Sequence, residues 1–211
     1  MSYGHNPFAH PLIGVSGKKQ SGKDTFAERL VAEHGFTRIS FADPLRELAL
    51  KADPIVRVDE WEDEWEPRLH GADEVRLSEV VAKDGWDRAK EESSEVRRTL
   101  VDLGIGVREV LGRDAWIRRA LRDIETVNGP VVITDVRFEN EAQMVKQLGG
   151  IVVRVDRPSL PIDPKAGPSE TELDDWRFDL RVVNDSTIEA LHKRADSITR
   201  SVALLGYPRA A

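Results

Sequence analysis

The chain has 211 residues, 40% of them hydrophobic, which is enough to form one core with room for an inserted subdomain. Thirty-one basic residues against thirty-eight acidic ones leave a net charge of −7, and there is no cysteine. That composition excludes disulfides, thiolate zinc sites, iron–sulfur clusters and cysteine nucleophiles, and it argues against nonspecific nucleic-acid binding, which needs a basic excess. No apolar run approaches the roughly 18 residues of a membrane-spanning helix. Met1–Pro7 has neither a basic start nor an apolar stretch of the signal-peptide kind, so the reading is of a soluble, cytoplasmic protein.

In chain order, Leu12-Ile13-Gly14-Val15-Ser16 reads as a buried strand. A glycine-rich turn follows, then a helix from Lys23 to His34 with Phe26, Ala27, Leu30 and Val31 on one face and Gly35 as its stop. Thr37–Phe41 reads as a second strand, and Asp43-Pro44 as the cap and first residue of another helix. Between Asp59 and Val96 the chain turns polar, with the acidic run Asp59–Glu66 and scattered tryptophans, and reads as a helix-and-loop insertion rather than core. Trp61 and Trp65 would share a face on a helix. Amphipathic spacing returns over Arg97–Asp123, with expected breaks at Gly104, Gly106 and Gly112-Arg113-Asp114.

After the Gly129-Pro130 turn, Val131–Thr134 reads as a buried parallel strand ending in Asp135. Phe138, Ala142, Val145 and Leu148 mark a helix ended by Gly149-Gly150, and Ile151–Val155 is another strand. Pro158, Pro161, Pro164 and Pro168 then signal a loop, long enough between Pro158 and Asp175 to be a lid over a reaction site or simply a crossover. Leu180–Val183 is a last strand and Thr187–Leu205 a last helix. Strands alternating with helices give the α/β class: a parallel sheet flanked by helices on both faces.

The chemistry concentrates first in Gly17-Lys18-Lys19-Gln20-Ser21-Gly22-Lys23-Asp24-Thr25. It fits the phosphate-loop pattern G-x-x-x-x-G-K, placed as that pattern requires between a strand and an amphipathic helix. The glycines let the backbone curl so that N–H groups face a phosphate, the helix adds its positive end, and Lys23 adds a cation. Aspartate stands at position 24, where a magnesium-binding hydroxyl is usual, so Asp24 or Thr25 is the candidate ligand. Asp135, at the carboxyl end of its strand, is where ligands gather in open parallel sheets, and could hold magnesium or cap the next helix. Arg137 borders the same crevice, with Asn140 and Glu141 on the first helical turn.

Phosphoryl transfer spreads negative charge over several oxygens and calls for further cations. The candidates are Arg46, Arg97, Arg98, Arg108, Arg113, Arg157 and Arg177, with Arg108 and Arg113 beside the glycine-interrupted segment and Arg157 at a strand end. The histidines, His5, His10, His34, His70 and His192, show no metal-ligand spacing.

Several segments together resemble the deoxynucleoside monophosphate kinases of the bacteriophage type. They are the loop at 17–25, Phe41-Ala42-Asp43-Pro44-Leu45-Arg46, Gly112-Arg113-Asp114-Ala115-Trp116, Thr134–Ala142, and Ser169-Glu170 followed by Val183-Asn184-Asp185. The resemblance runs from about residue 12 to 205 and implies a single P-loop kinase domain over 1–211. Within it would lie a helical monophosphate-binding insertion at about 44–126 and a lid at about 158–178. It further implies ATP and a deoxynucleoside monophosphate as substrates, with magnesium. Gly17, Lys19, Ser21, Gly22, Lys23, Asp24, Thr25 and Arg157 would then hold the ATP. Arg46, Arg108, Trp116, Asp135, Arg137 and Glu141 would line the acceptor pocket, Lys23, Arg108 and Arg137 would act in catalysis, and Asp24, Thr25 and Asp135 would meet the metal. No nucleic acid or membrane partner is expected, and a monomer and a homodimer are equally compatible. A kinase with a non-nucleotide acceptor, similar to phosphomevalonate kinase, and a nucleotide-gated ATPase or binding module are the competing readings.

Overall fold

The computed structural model describes residues 10–62, 70–161, 164 and 166–204. The chain packs as two compact units, one made of the segments that end at Phe41 and resume at Trp116, the other of Ala42–Ala115.

The first unit is built on a five-stranded sheet of β1 (Leu12–Ser16), β2 (Thr37–Ser40), β5 (Val131–Thr134), β6 (Ile151–Asp156) and β7 (Leu180–Val183), in the order β2-β5-β1-β6-β7. Every neighbouring pair is parallel. Every residue of β1 and β5 is buried, as a parallel strand covered on both faces requires, which is why these segments are continuous apolar runs.

On one face, Phe26, Ala27 and Leu30 of α1 (Lys23–His34) and Leu191, Ala195 and Ile198 of α8 (Ile188–Leu204) share a core with Ile13, Val15, Val132, Val153, Val155 and Val182. Each such large side chain removed from water contributes about 1.5–3 kcal/mol before entropy is counted. Elsewhere in the unit, α6 (Glu139–Gln147) lies so close to β1 that a Cβ on Gly14 would sit 3.0 Å from Val145. The unit is completed by α5 (Ala115–Glu125), which buries Trp116, Ile117, Ala120 and Ile124, and by α7 (Pro168–Thr171). The proline-rich stretch is thus not loop throughout: Pro168 opens the single turn of α7, where a missing N–H costs nothing.

The second unit contains α2 (Ala42–Ala52), a hairpin of β3 (Ile55–Glu62) and β4 (His70–Arg76), α3 (Leu77–Glu92) and α4 (Ser94–Leu111). Two expectations are corrected here. The polar stretch is not helix and loop without a core. Its acidic start lies on β3, paired antiparallel with β4, and Leu77, Ala89 and Val96 bury against Ala49 and Val56. The hairpin needs no apolar face of its own because backbone bonds form the ladder, while the Trp61 ring covers Gly71 so closely that a Cβ there would be 2.5 Å away. Trp61 therefore stands on a strand; Trp65 lies outside the described residues.

The second correction concerns α4, which runs unbroken through Gly104 and Gly106 and stops at Gly112, where φ is 92°. Gly104 serves packing instead, leaving Leu45 of α2 at 3.4 Å from where its Cβ would be. The Ser93 hydroxyl starts α4 by accepting from the Val96 N–H at 3.2 Å.

Candidate active site

The loop between β1 and α1 curls under tight steric terms. A Cβ on Gly17 would lie 2.8 Å from the Val155 carbonyl oxygen and 2.4 Å from Ser21 Oγ, so only glycine fits. Gly22 caps α1 at φ 94°, and Gln20 also takes a left-handed φ of 63°. Asn184 clamps the turn from behind β7, its amide donating to the Ser21 carbonyl at 2.9 Å. The Ser21 hydroxyl is buried without a protein partner. Lys23 opens α1 with a side chain only 7% exposed, its Nζ 3.3 Å from Asp24 Oδ2 and 3.5 Å from Asp135 Oδ1. Asp24 itself is exposed and Thr25 half-buried.

Asp135 follows β5 with φ 62°, a conformation that aspartate tolerates better than most residues. It does not cap α6, whose first residue is Glu139 and whose cap is Phe138. Glu141 does that work. Its buried carboxylate accepts from the N–H groups of Arg137 at 2.9 Å and Phe138 at 3.2 Å.

Arg137 is thereby fixed at both ends. Its guanidinium donates to the Ser169 carbonyl at 3.2 Å, to Glu170, and at 3.5 Å to Asp135. Burial works against its charge, yet Asp135 and Glu170 outweigh that and hold it above the ordinary arginine pKa.

Beside the loop lies a small recess lined by Ser16, Gly17, Arg137, Arg154 and Glu170 among others. Arg154, on β6, is a buried cation that nothing in the motif reading singled out. It donates to Ser16 Oγ at 3.3 Å, Asp156 at 3.2 Å and Asp174 at 3.1 Å, and lies over the Phe178 ring at 5.4 Å.

The segment after Gly167 presents carboxylates rather than cations. Asp174 pairs with Lys18 at 3.0 Å, Glu172 accepts from the Glu139 N–H at 3.1 Å, and Glu170 accepts from the Lys19 N–H at 3.0 Å. Arg177 is exposed, and Arg157, also exposed, reaches no closer than 3.5 Å to the Gln20 carbonyl.

Lys23, Asp135 and Arg137 thus come together, with Lys19, Ser21, Gly22, Asp24 and Thr25 on the loop. Trp116 is buried in the face of α5 at 7% exposure, which leaves little of its ring to offer a ligand. Arg46 and Arg108 belong to the second unit. Arg46 lies over the Trp86 ring at 5.7 Å and 3.7 Å from Asp43, and Arg108 donates to the Arg113 carbonyl at 3.1 Å. No cluster of three or more metal-ligating His, Asp or Glu side chains occurs among the described residues.

Motif reasoning missed the roles of Arg154, Glu170, Asp174 and Asn184. Arg154 left one signal, a lone charge inside the run Ile-Val-Val-Arg-Val.

A protein of Acanthamoeba polyphaga mimivirus, provisionally named a deoxynucleotide monophosphate kinase, is 34% identical over 191 residues, covering 87% of this chain and 93% of its own length. The chain belongs to the deoxynucleotide monophosphate kinase family. No family model matches it. Among solved structures, TT1252 from Thermus thermophilus has a TM-score of 0.48 at 15% identity, covering 91% of this chain and 98% of its own. Dephospho-CoA kinase from Campylobacter jejuni has 0.47 at 14%, covering 92% and 98%. Shikimate kinase from Aquifex aeolicus has 0.45 at 15%, covering 92% and 99%. Among the described residues of this kinase, no helix is long and apolar enough to cross a membrane.

Proposed function

We propose that the chain transfers the γ-phosphoryl group of ATP to a deoxynucleoside monophosphate, giving a deoxynucleoside diphosphate and ADP. The observation that carries this reading is Lys23, almost fully buried at the mouth of α1 and facing Asp135. Burying a lysine head is costly unless an anion answers it, and a triphosphate seated on the loop answers it more fully than two carboxylates at 3.3 and 3.5 Å, one of them on the exposed Asp24.

In this reading the loop N–H groups and the positive end of α1 hold the β-phosphate, and Lys23 bridges to the γ-phosphate. The buried Ser21 hydroxyl, which lacks a protein partner, is free to donate within the loop. Arg137 stabilises the transferring group, and Glu141, by fixing the Arg137 backbone, holds it in place. Transfer is in line between two bound phosphates with no covalent intermediate, so catalysis rests on positioning and charge.

The donor set suits magnesium. It is hard and oxygen-only, with Asp24, Thr25 and Asp135 around Lys23, and magnesium on a nucleotide takes few protein ligands because phosphates and water supply the rest. Asp24 and Asp135 would hold it, and bound there it would neutralise charge on the phosphates.

A panel of deoxy- and ribonucleoside monophosphates incubated with magnesium ATP, followed by ADP release, tests the assignment. Deoxynucleotide-dependent ADP formation is the expected result. Turnover confined to a non-nucleotide acceptor, or hydrolysis indifferent to any acceptor, would overturn it.

A further inference from the structure

The lid segment brings a carboxylate, not an arginine, to the phosphate loop. Glu170 uses one oxygen on the Arg137 guanidinium and the other on the Lys19 N–H at 3.0 Å. Those two donors are of different kinds and come from β5–α6 and β1–α1, yet they meet on one anion. Oriented N–H groups of a phosphate loop next to a guanidinium are what a phosphoryl oxygen binds. A carboxylate there accepts the same hydrogen bonds and carries charge of the same sign.

We propose that Glu170 is an internal anion that occupies the Lys19 N–H and Arg137 until a phosphoryl group takes them, so that nucleotide binding and release of Glu170 are a single exchange. The inference rests on the reading of residues 17–25 as a phosphate loop.

Three features of the surroundings support an exchange rather than a permanent brace. Lys19 has one N–H to give, and two anions cannot share it without repulsion. Arg137 keeps Asp135 at 3.5 Å after Glu170 leaves, so its charge is never without a counterion. The rest of the segment is held independently, Asp174 by Lys18 and Arg154 and Glu172 by the Glu139 N–H, so Glu170 can swing out without the lid coming away. The loop's intrinsic affinity for a triphosphate is then masked by the fraction of time that Glu170 holds it.

Calorimetry on the full chain with tripolyphosphate and with a non-hydrolysable ATP analogue, no acceptor present, tests this in the wild type and in Glu170→Gln, Glu170→Ala and Glu172→Gln. Both Glu170 variants are expected to bind the two probes about tenfold more tightly, the gain for a loop that is masked about nine-tenths of the time. Glu172→Gln, which removes the same charge from the same segment, is expected to stay within about twofold of wild type. Hydrogen exchange at 168–172 should quicken in the wild type when the analogue binds, and should already be fast in Glu170→Gln without it. Unchanged or weaker binding by both Glu170 variants, or equal tightening by Glu172→Gln, overturns the proposal while leaving the phosphate loop intact. Failure of the wild type to bind either probe is a different result: it overturns the phosphate-loop reading, and the exchange with it.

Discussion

Lys23 Nζ lies 3.5 Å from Asp135 Oδ1, so the residue that opens α1 and the residue that follows β5 form one ion pair across neighbouring strands of the sheet. With Lys23 only 7% and Asp135 18% exposed, the pair is poorly screened and each group depends on the other's charge. In the proposed reaction, a triphosphate would meet a cation already positioned there, with a carboxylate beside it.

Lys23→Ala is therefore expected to lower turnover at least about a hundredfold, the scale on which removing one preorganised charge-stabilising group acts. The fold should survive, because Arg137 remains near Asp135 at 3.5 Å. Steady-state kinetics with a circular dichroism check measures both, and near-normal activity in the variant would remove Lys23 from the mechanism.

Asp24 offers a cleaner separation of metal from fold, since its side chain is 67% exposed. Asp24→Asn is expected to leave the melting temperature unchanged and to raise the magnesium concentration giving half-maximal rate by about tenfold or more. A magnesium titration at saturating ATP reads this out directly.

Gly17→Ala tests the loop's backbone. The added methyl meets a main-chain carbonyl at 2.8 Å, which cannot rotate away as a side chain does. The expected outcome is a loss of about 1–3 kcal/mol in denaturant unfolding together with weakened nucleotide binding. Wild-type stability and affinity would show that the loop relaxes around it.

These sites differ in how far the sequence discloses them. The phosphate loop is legible because its requirements are local: two glycines, a lysine and the flanking apolar strand all lie within residues 12–23. Asp135 is legible for the same reason, as the carboxylate closing an apolar run. The bond between Lys19 and Glu170 joins residues 151 positions apart, and no local pattern announces it. Arg154 could be suspected only as a misplaced charge, since its partners Asp174 and Ser16 come from separate segments. The hairpin of β3 and β4 hides for another reason: its ladder is made by backbone groups, which any sequence carries, and its side chains are mostly exposed. Gly104 misleads because a glycine chosen for close helix packing reads in sequence like one chosen to break a helix.

Arg154 supplies a stability prediction. Replacing it with leucine keeps bulk but strips the donors that answer Ser16, Asp156 and Asp174, and unfolding free energy should fall by roughly 1–3 kcal/mol. Arg154→Lys should recover only part of the loss, since an ammonium lacks the planar fork that reaches all three partners. Full recovery by lysine would mean that charge alone suffices.

A pH dependence follows from the tie between α1 and α8. Hydrogen bonds from Arg29 and then His34 hold the Asp196 carboxyl down to about 2, below its ordinary 3.8. A depressed carboxylate adds stability above its unfolded pKa and loses it as pH falls toward the folded one. Asp196→Asn is thus expected to unfold more easily than the wild type at pH 7, with the gap closing between about pH 4 and 2. Denaturant titrations at both ends of that range measure it, and a gap independent of pH would assign the effect to packing.

The place of β1 at the centre of its sheet sets the timetable by which the polypeptide matures on the ribosome. Its two neighbours are β5 and β6, so the strand made first waits unpaired until Val131 and then Ile151 have been synthesised. Meanwhile Ala42–Ala115 has emerged as a unit with a core of its own, and can settle before its host does. The nascent chain therefore carries an apolar β-segment exposed until Val131 has been made, and holding that segment soluble falls to chaperones and to the charged residues around it.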